Sequence, residues 1–455
     1  MARNRTRHRC TDCSATSPTW VGRCPACGAW ASLVEEAASS PAPGPVPDGL
    51  VPLVSVDPGC NEPRNTGVGE LDRVLGGGLV PGSVTLLGGE PGIGKSTLAL
   101  QVALAWAARE LPVLVVSGEE SAAQVQGRAT RLGPVPPSLW VLATAERPAL
   151  EAAVTQLAPA LVVVDSIQTM VDPELASAPG SIAQVREGAQ RLVQLAKRSG
   201  AAVLLVGHVT KDGALAGPRA LEHVVDTVLS FDGDRRTALR MLRAVKHRFG
   251  PTTEVGLFDL TPCGLAPMAD PSGVLLADRQ AGLAGSVVTA TVEGNRPLLV
   301  EVQALVTDPH RGEARRSAQG LAGGRLAFLL AVLEQRVGVR LVDQDVFALA
   351  VGGVRLAEPG ADLAVALAVA SAAAGWPVLD DVLACGEIGL GGEIRSVPRL
   401  EERLAEAGRF GFTRAVVPWS SPPGPPGLKL VRVESLAQAV QAAIGTPIFP
   451  ERLPA

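Results

Sequence analysis

Tyrosine does not occur in the 455 residues, and Phe and Trp bring the aromatic share to only 3%. The 47% of hydrophobic residues are therefore mostly aliphatic, enough for the cores of two or three domains. Lysine is nearly missing too. There are five (Lys95, Lys197, Lys211, Lys246 and Lys429) against 36 Arg. A lysine that persists in such a composition points to work a guanidinium cannot do, because its ammonium is a compact point charge. No sign of charge dominates: the net is −4, which excludes a chain-wide basic coat for nucleic acid and leaves only local patches. No long apolar run exists either. The stretch Leu363–Ala374 is too short to span a bilayer, and the opening "MARNRTRHRC" lacks the apolar centre of a signal peptide. A soluble cytoplasmic protein with no membrane partner is expected. Seven Cys in a chain this long do not make a disulfide framework.

Four of those cysteines have a pattern. "CTDCSATSPTWVGRCPACG" gives Cys10-x2-Cys13 and Cys24-x2-Cys27. Two such knuckles bring four thiolates to one tetrahedral Zn²⁺ with no open position, so a structural site is expected. Cys60, Cys263 and Cys385 lack that spacing and read as packing residues. Arg3, Arg5, Arg7, His8 and Arg9 crowd the first knuckle, equally well as a phosphate-binding arm or as a solvated terminus.

A Pro/Ala/Ser linker follows, and then apolar strands alternate with helical stretches. "GSVTLLGGE", "LPVLVVSGEE", "ALVVVDSIQ" and "AAVLLVGHV" read as strands buried on both faces, so a parallel α/β core is predicted. Beyond residue 285 the strands "SVVTATVEG" and "RPLLVEVQALV" precede helical "GGRLAFLLAVLEQRVG" and "ADLAVALAVASAAAG", an α+β region. The expected division is a zinc finger at 1–31, a linker at 32–60, a nucleotide-binding domain at 61–270 and a C-terminal domain at 285–455.

"GGEPGIGKST" carries Gly89-x4-Gly94-Lys95-Ser96 between a predicted strand and a predicted helix. Backbone N–H groups of such a loop cradle phosphates at a helix N-terminus. Gly89, Glu90, Pro91, Gly92, Ile93 and Gly94 would form the cradle. Lys95 would reach the β/γ-phosphates of ATP, Ser96 would ligate Mg²⁺, and Thr97 would serve the α-phosphate side. Asp165, at the end of "LVVVDS", suits the carboxylate placed near Mg²⁺ through water. Glu119 and Glu120, in "VVSGEES", are candidates for orienting or deprotonating the attacking water, with Glu119 preferred.

The four-Cys head, "GEPGIGKST", "VSGEES", "VVVDSIQT", "GHVTKDGALAGPRALEHVVDTVL" and "KHRFG" together resemble the bacterial RadA/Sms family of DNA-repair proteins over nearly the whole chain. The resemblance implies a RecA-like P-loop ATPase core with a parallel sheet and a homohexameric ring on single-stranded and branched DNA. It also implies branch migration of recombination intermediates alongside RecA recombinase. The family carries Lys-Asn-Arg-Phe-Gly after its core; here it reads Lys246-His247-Arg248-Phe249-Gly250, with His in place of Asn. In such rings, cations of one subunit reach the phosphate held by the next. Lys246 and Arg248 are two apart, so on a strand they share a face, with His247 and Phe249 on the other. Loops facing a ring channel would include Lys211 and Arg219, the better phosphate-contact candidates, and Arg186. They hold no aromatic platform, so binding should be sequence-tolerant and salt-sensitive.

The C-terminal region resembles the peptidase domain of the Lon family, a Ser-Lys fold. The Ser position falls near Gly360 and the Lys position near Glu401. Lys429 is the only lysine after Lys246, and neither Ser371 nor Ser396 has a lysine partner in view. A proteolytically inactive scaffold is expected, with Arg311, Arg315 and Arg316 as possible DNA contacts. The alternatives to a DNA motor are an ATP-dependent peptidase and a nucleotide-gated assembly switch without translocation.

Overall fold

The structure, a computed structural model, describes residues 7–36, 51–55, 62–208, 221–233, 239–309 and 314–444. It divides into two compact units, Met1–Cys60 and Asn61–Ala455. In the first, β1 (Arg7–Cys10) is flanked antiparallel by β2 (Thr16–Ser17) and β3 (Leu33–Glu36). Among the described residues its apolar centre is Cys10, Cys24, Leu33 and Ala15. A unit this small needs a staple, and its four thiols can hold one.

The second unit opens with α1 (Gly69–Val74) and a nine-stranded sheet. Its parallel strands are β4 (Val84–Gly89), β5 (Val113–Ser117), β6 (Leu139–Leu142), β7 (Leu161–Asp165), β8 (Ala202–His208) and β9 (Thr227–Asp232). An antiparallel extension follows: β10 (Leu239–His247), β11 (Val255–Thr261) and β12 (Gly264–Pro267). The order is β12-β11-β10-β9-β4-β8-β7-β5-β6. All residues of β4 and β5 are buried, as Val/Leu runs covered on both faces must be. One face packs on α2 (Lys95–Ala107), the helix around the fully buried Trp106. The other packs on α4 (Arg147–Leu157) and α5 (Ile182–Ser199). Between β5 and β6 runs α3 (Ala122–Leu132), opened by a Ser121/Gln124 capping box. Three carboxyl ends meet beside the phosphate loop because β4, β8, β7 and β5 lie side by side in one direction.

After α6 (Pro271–Leu276) comes a seven-stranded mixed sheet. It is built from β13 (Ser286–Glu293), β14 (Arg296–Thr307), β15 (Arg316–Gln319), β16 (Asp345–Ala350), β17 (Val382–Ala384), β20 (Arg414–Pro418) and β21 (Lys429–Val433), in the order β15-β16-β14-β13-β17-β20-β21. A separate hairpin pairs β18 (Glu387–Ile388) with β19 (Ile394–Arg395). The helices are α7 (Gly323–Val332), α8 (Asp362–Ala374), α9 (Leu400–Arg409) and α10 (Leu436–Ile444). Every residue of α8 from Asp362 to Ser371 is buried, which suits a helix apolar all round. One apolar core links the sheets: Leu239, Val255 and Leu257 belong to the same cluster as Val287, Leu298 and Leu363. Polar ties reinforce it. Arg243 on β10 pairs with Glu293 at 2.6 Å, and Arg296 pairs with Glu70 of α1 at 2.7 Å.

Candidate nucleotide site and metal centre

The loop from Gly89 to Gly94 leaves β4 and enters α2, the strand–loop–helix setting its spacing predicts. Gly94, at the helix N-cap, has φ of 113°, a conformation closed to other side chains without strain. Ile93 is buried and anchors the loop, whereas Pro91 and Gly92 are exposed. Lys95 is only 2% exposed, and its Nζ donates to the carbonyls of Gly89 and Glu90, both at 2.9 Å. Burial pulls its pKa down, and the carboxylates of Asp165 and Glu119 oppose that. An ammonium in this position waits for a stronger acceptor than two neutral carbonyls, which is what a phosphate is. Ser96 and Thr97 are half-buried on the first turn beside it.

Asp165 ends β7, and the peptide joining it to Ser166 is cis. Glu119 and Glu120 follow β5 by two and three residues. Gly118 precedes them because a Cβ there would lie 2.3 Å from the Thr169 hydroxyl. The two glutamates part company. Glu119 accepts from the Ser166 hydroxyl at 2.9 Å. Glu120 turns to Arg128 of α3, at 3.1 Å, and the same guanidinium nitrogen stands 3.4 Å from Asp165. Arg128 is a site residue that the sequence reading missed. Its only signal was its place on the inward side of a short amphipathic helix, three residues after the buried Val125 and one before the buried Ala129.

In the first unit, the sulfur atoms of Cys10, Cys13, Cys24 and Cys27 all lie within 4.8 Å of one another. The Cys10–Cys27 and Cys13–Cys24 separations are both 3.7 Å. Four thiolates about 2.3 Å from a tetrahedral Zn²⁺ sit roughly 3.8 Å apart, so the donor set fits this ion.

Comparison with known proteins covers both regions. A family model described as an AAA domain matches residues 68–214, and one described as a rubredoxin metal binding domain matches 8–35. The DNA repair protein RadA of Pseudomonas aeruginosa is 49% identical over 97% of this chain and 99% of its own length. That of Bacillus subtilis is 44% identical over 98% and 100%, and that of Mycobacterium tuberculosis 46% over 97% and 94%. The chain belongs to the RadA family of DNA repair proteins. A four-Cys zinc ribbon and a RecA-like ATPase fold are its first two parts.

The segment 246–250 differs in detail from its sequence reading. Strand β10 ends at His247, and a register shift between Ala244 and Lys246 breaks the simple alternation. Lys246 and Arg248 nevertheless turn to one segment. Lys246 Nζ donates to the carbonyls of Glu222 and Val225 at 2.6 and 2.8 Å, and Arg248 pairs with Asp226 at 2.9 Å. Phe249 is not packed into a core: it is 44% exposed and stands edge-on to the His247 ring. His247 is tied from both nitrogens. Nε2 lies 3.2 Å from the Leu75 carbonyl and Nδ1 3.0 Å from the Thr227 hydroxyl. A carbonyl only accepts, so Nε2 carries the proton and Nδ1 accepts from Thr227. Burial lowers the pKa of this imidazole, with the Leu75 carbonyl opposing, which keeps it neutral.

Of the expected DNA contacts, Lys211, Arg219 and Arg311 lie outside the described residues, as do Arg3, Arg5 and Cys60. Arg186 is exposed on α5, and Arg315 and Arg316 are exposed at the start of β15. Cys263 is exposed rather than packed, while Cys385 is buried. No described helix is long and apolar enough to cross a membrane.

In the C-terminal region the residue standing against Gly360 is Arg403 of α9, not Glu401. A Cβ on Gly360 would meet the Arg403 guanidinium at 3.2 Å, and Glu401 faces outward. Arg403 is 1% exposed and grips Glu358 with both terminal nitrogens at 2.7 and 2.5 Å. Ser371 is buried and donates to the Trp376 carbonyl.

Proposed function

We propose that the protein is a DNA-dependent ATPase that extends strand exchange by branch migration of recombination intermediates. The observation that carries the reading is the convergence of buried Lys95, half-buried Asp165 and exposed Glu119 at the carboxyl ends of parallel strands in one sheet. Lys95 exchanges its two carbonyl partners for the β/γ-phosphates of ATP. Ser96, and Asp165 through water, would hold Mg²⁺, which would supply charge neutralisation of the phosphates. Glu119 orients the attacking water and takes its proton; Ser166 fixes the carboxylate while it does so. Glu120, paired with Arg128, is left with a supporting role. Lys246 and Arg248 act in trans on the nucleotide of the next subunit in a homohexameric ring, where such a cation contributes ~10³–10⁵ in rate.

The zinc ribbon at 1–31, the ATPase core at 61–270 and the Lon-like part at 285–455 take separate tasks in this reading. The last is a scaffold without peptidase activity. A guanidinium stays charged and cannot serve as the base of a Ser-Lys pair, and Gly360 has no hydroxyl. RecA recombinase and single-stranded and branched DNA are the partners, met in the cytoplasm, with Lys211, Arg219 and Arg186 offered to phosphates.

The test measures ATP turnover with and without single-stranded DNA, and extension of a labelled branched substrate. Stimulated turnover with ATP-dependent branch movement is expected. DNA-independent turnover without strand movement would favour the assembly switch. ATP-dependent cleavage of casein would return the peptidase.

A further inference from the structure

The carboxylates of the nucleotide site are unequally shared. The charges of Asp165 and Glu119 oppose the burial that lowers the Lys95 pKa. Arg128 stands between Glu120 and Asp165, 3.1 Å from one and 3.4 Å from the other through the same nitrogen. The grip is loose. The hydrogen bond to Asp165 Oδ2 is long, at 3.4 Å, the closer contact with Glu120 lacks hydrogen-bond alignment, and the buried Nε of Arg128 has no hydrogen-bond partner and is available to take up Glu120 when Asp165 is released. A guanidinium with an unused donor, spread over two carboxylates, can release one of them at little cost.

Asp165 is the carboxylate that must accept from metal-bound water if the site works as a P-loop ATPase. A cation 3.4 Å from its Oδ2 competes for that same oxygen. Glu120 has the opposite problem. Unpaired, a third carboxylate next to Glu119 and Asp165 would offer the metal or the attacking water a wrong partner. One arginine answers both needs if it keeps Glu120 and yields Asp165.

We propose that Arg128 is the positioning residue of the nucleotide site, holding Glu120 out of the metal and water positions and exchanging Asp165 for metal when Mg²⁺ arrives. The inference rests on the ATPase reading above. It makes the site's metal affinity lower than its carboxylates alone would give, and it makes Glu119 the carboxylate left for the water.

The experiment uses the full chain and Mn²⁺ as the probe, titrated in the presence of ADP and followed by electron paramagnetic resonance. Binding of a fluorescent ADP analogue is measured alongside. Arg128→Ala should bind Mn²⁺ more tightly, on the order of tenfold, because a competing charge has gone from beside Asp165. Arg128→Lys, which keeps the charge but lacks the planar guanidinium and its unused Nε donor, should fall between Arg128→Ala and the unaltered protein. In an Asp165→Asn background, removing Arg128 should give a much smaller gain. At saturating Mg²⁺, Arg128→Ala should hydrolyse ATP more slowly, and adding Glu120→Gln should restore part of the rate. Equal or weaker Mn²⁺ binding by Arg128→Ala, with nucleotide still bound, would overturn the inference and leave the ATPase reading standing. Failure of the unaltered protein to bind ADP with or without metal would overturn both.

Discussion

Removing the Arg403 guanidinium, by Arg403→Met, gives the sharpest energetic test of the packing in the C-terminal region. Its Nε donates to the Pro398 carbonyl at 3.1 Å, and its two terminal nitrogens hold Glu358 and the Ala290 carbonyl. Glu358 also accepts from the Thr291 hydroxyl and the Val292 amide at 2.8 and 3.0 Å. Breaking a fully buried pair costs about 3–5 kcal/mol. Arg403 is 1% exposed but the Glu358 side chain is 28% exposed. Partial hydration of the stranded carboxylate brings the expected loss down to about 2–4 kcal/mol. The direction with pH follows from the same contacts. Burial alone would push the Glu358 carboxyl up, but the Arg403 fork, with Thr291 and Val292, outweighs it and holds the pKa below its ordinary 4.5. The stability from the pair is therefore complete above that ordinary value and is lost as pH falls through the depressed one. Without Arg403, burial wins and the carboxyl titrates above its ordinary value. The deficit of the variant should then be largest near about pH 7.5 and shrink toward about pH 5. Urea unfolding of the full chain, followed by circular dichroism at both pH values, reads this directly. Glu358→Leu combined with Arg403→Met should recover most of the loss, since apolar replacement of a buried pair is often neutral. A loss under about 1 kcal/mol, or a double variant as unstable as the single one, would refute the reasoning.

Three further outcomes are expected. Lys95→Ala should abolish binding of a fluorescent ATP analogue, and normal affinity would remove the phosphate-loop assignment. Cys24→Ser should lower bound zinc from one per chain to none by atomic absorption, with unfolding of residues 7–36 visible as lost amide dispersion; full zinc retention would refute the four-thiolate centre. Mixed rings of Arg248→Ala and Glu119→Ala subunits should recover hydrolysis that neither has alone, and verified mixing without recovery would place Arg248 in its own subunit's chemistry.

Much of this was legible because it is local. Phosphate loop, zinc knuckles and buried parallel strands are each written in one contiguous stretch with a fixed spacing or period. What escaped reading is written across the chain. Arg128 meets Asp165 37 residues away, and Arg403 meets Glu358 45 residues away. His247 reaches the Leu75 carbonyl across 172 residues. A resemblance placed the vanished lysine near Glu401, but one turn of α9 decides which side chain points inward, and the inward one is Arg403. The break in alternation at Ala244 was invisible for the same reason. A register shift belongs to the pairing of two strands, not to either one's sequence.

His247, the one departure from the family's motif, differs physically from its neighbours in that stretch. Lys246 and Arg248 rest on contacts that are easily exchanged. Two of these are neutral carbonyls, and the third is an ion pair of the buried Asp226 with an arginine side chain that is 53% exposed and so open to other partners. A nucleotide phosphate offers both cations charge-assisted bonds roughly twice as strong as neutral ones. In the ring proposed above, the resting contacts would yield when a neighbour's phosphates arrive and re-form when they leave. Such an exchange works only if the backbone between the cations stays fixed, and His247 supplies that fixture. As a neutral imidazole it uses one nitrogen to hold the end of α1 and the other to hold β9, so the strand end cannot follow either cation outward. Protonation would replace the Nδ1 acceptor with a second donor. Because burial already disfavours the charged ring, that change costs stability as pH falls below the ordinary imidazole range. A histidine in this place therefore gives the segment a sensitivity to acid that an asparagine, with no titrating group, would not have.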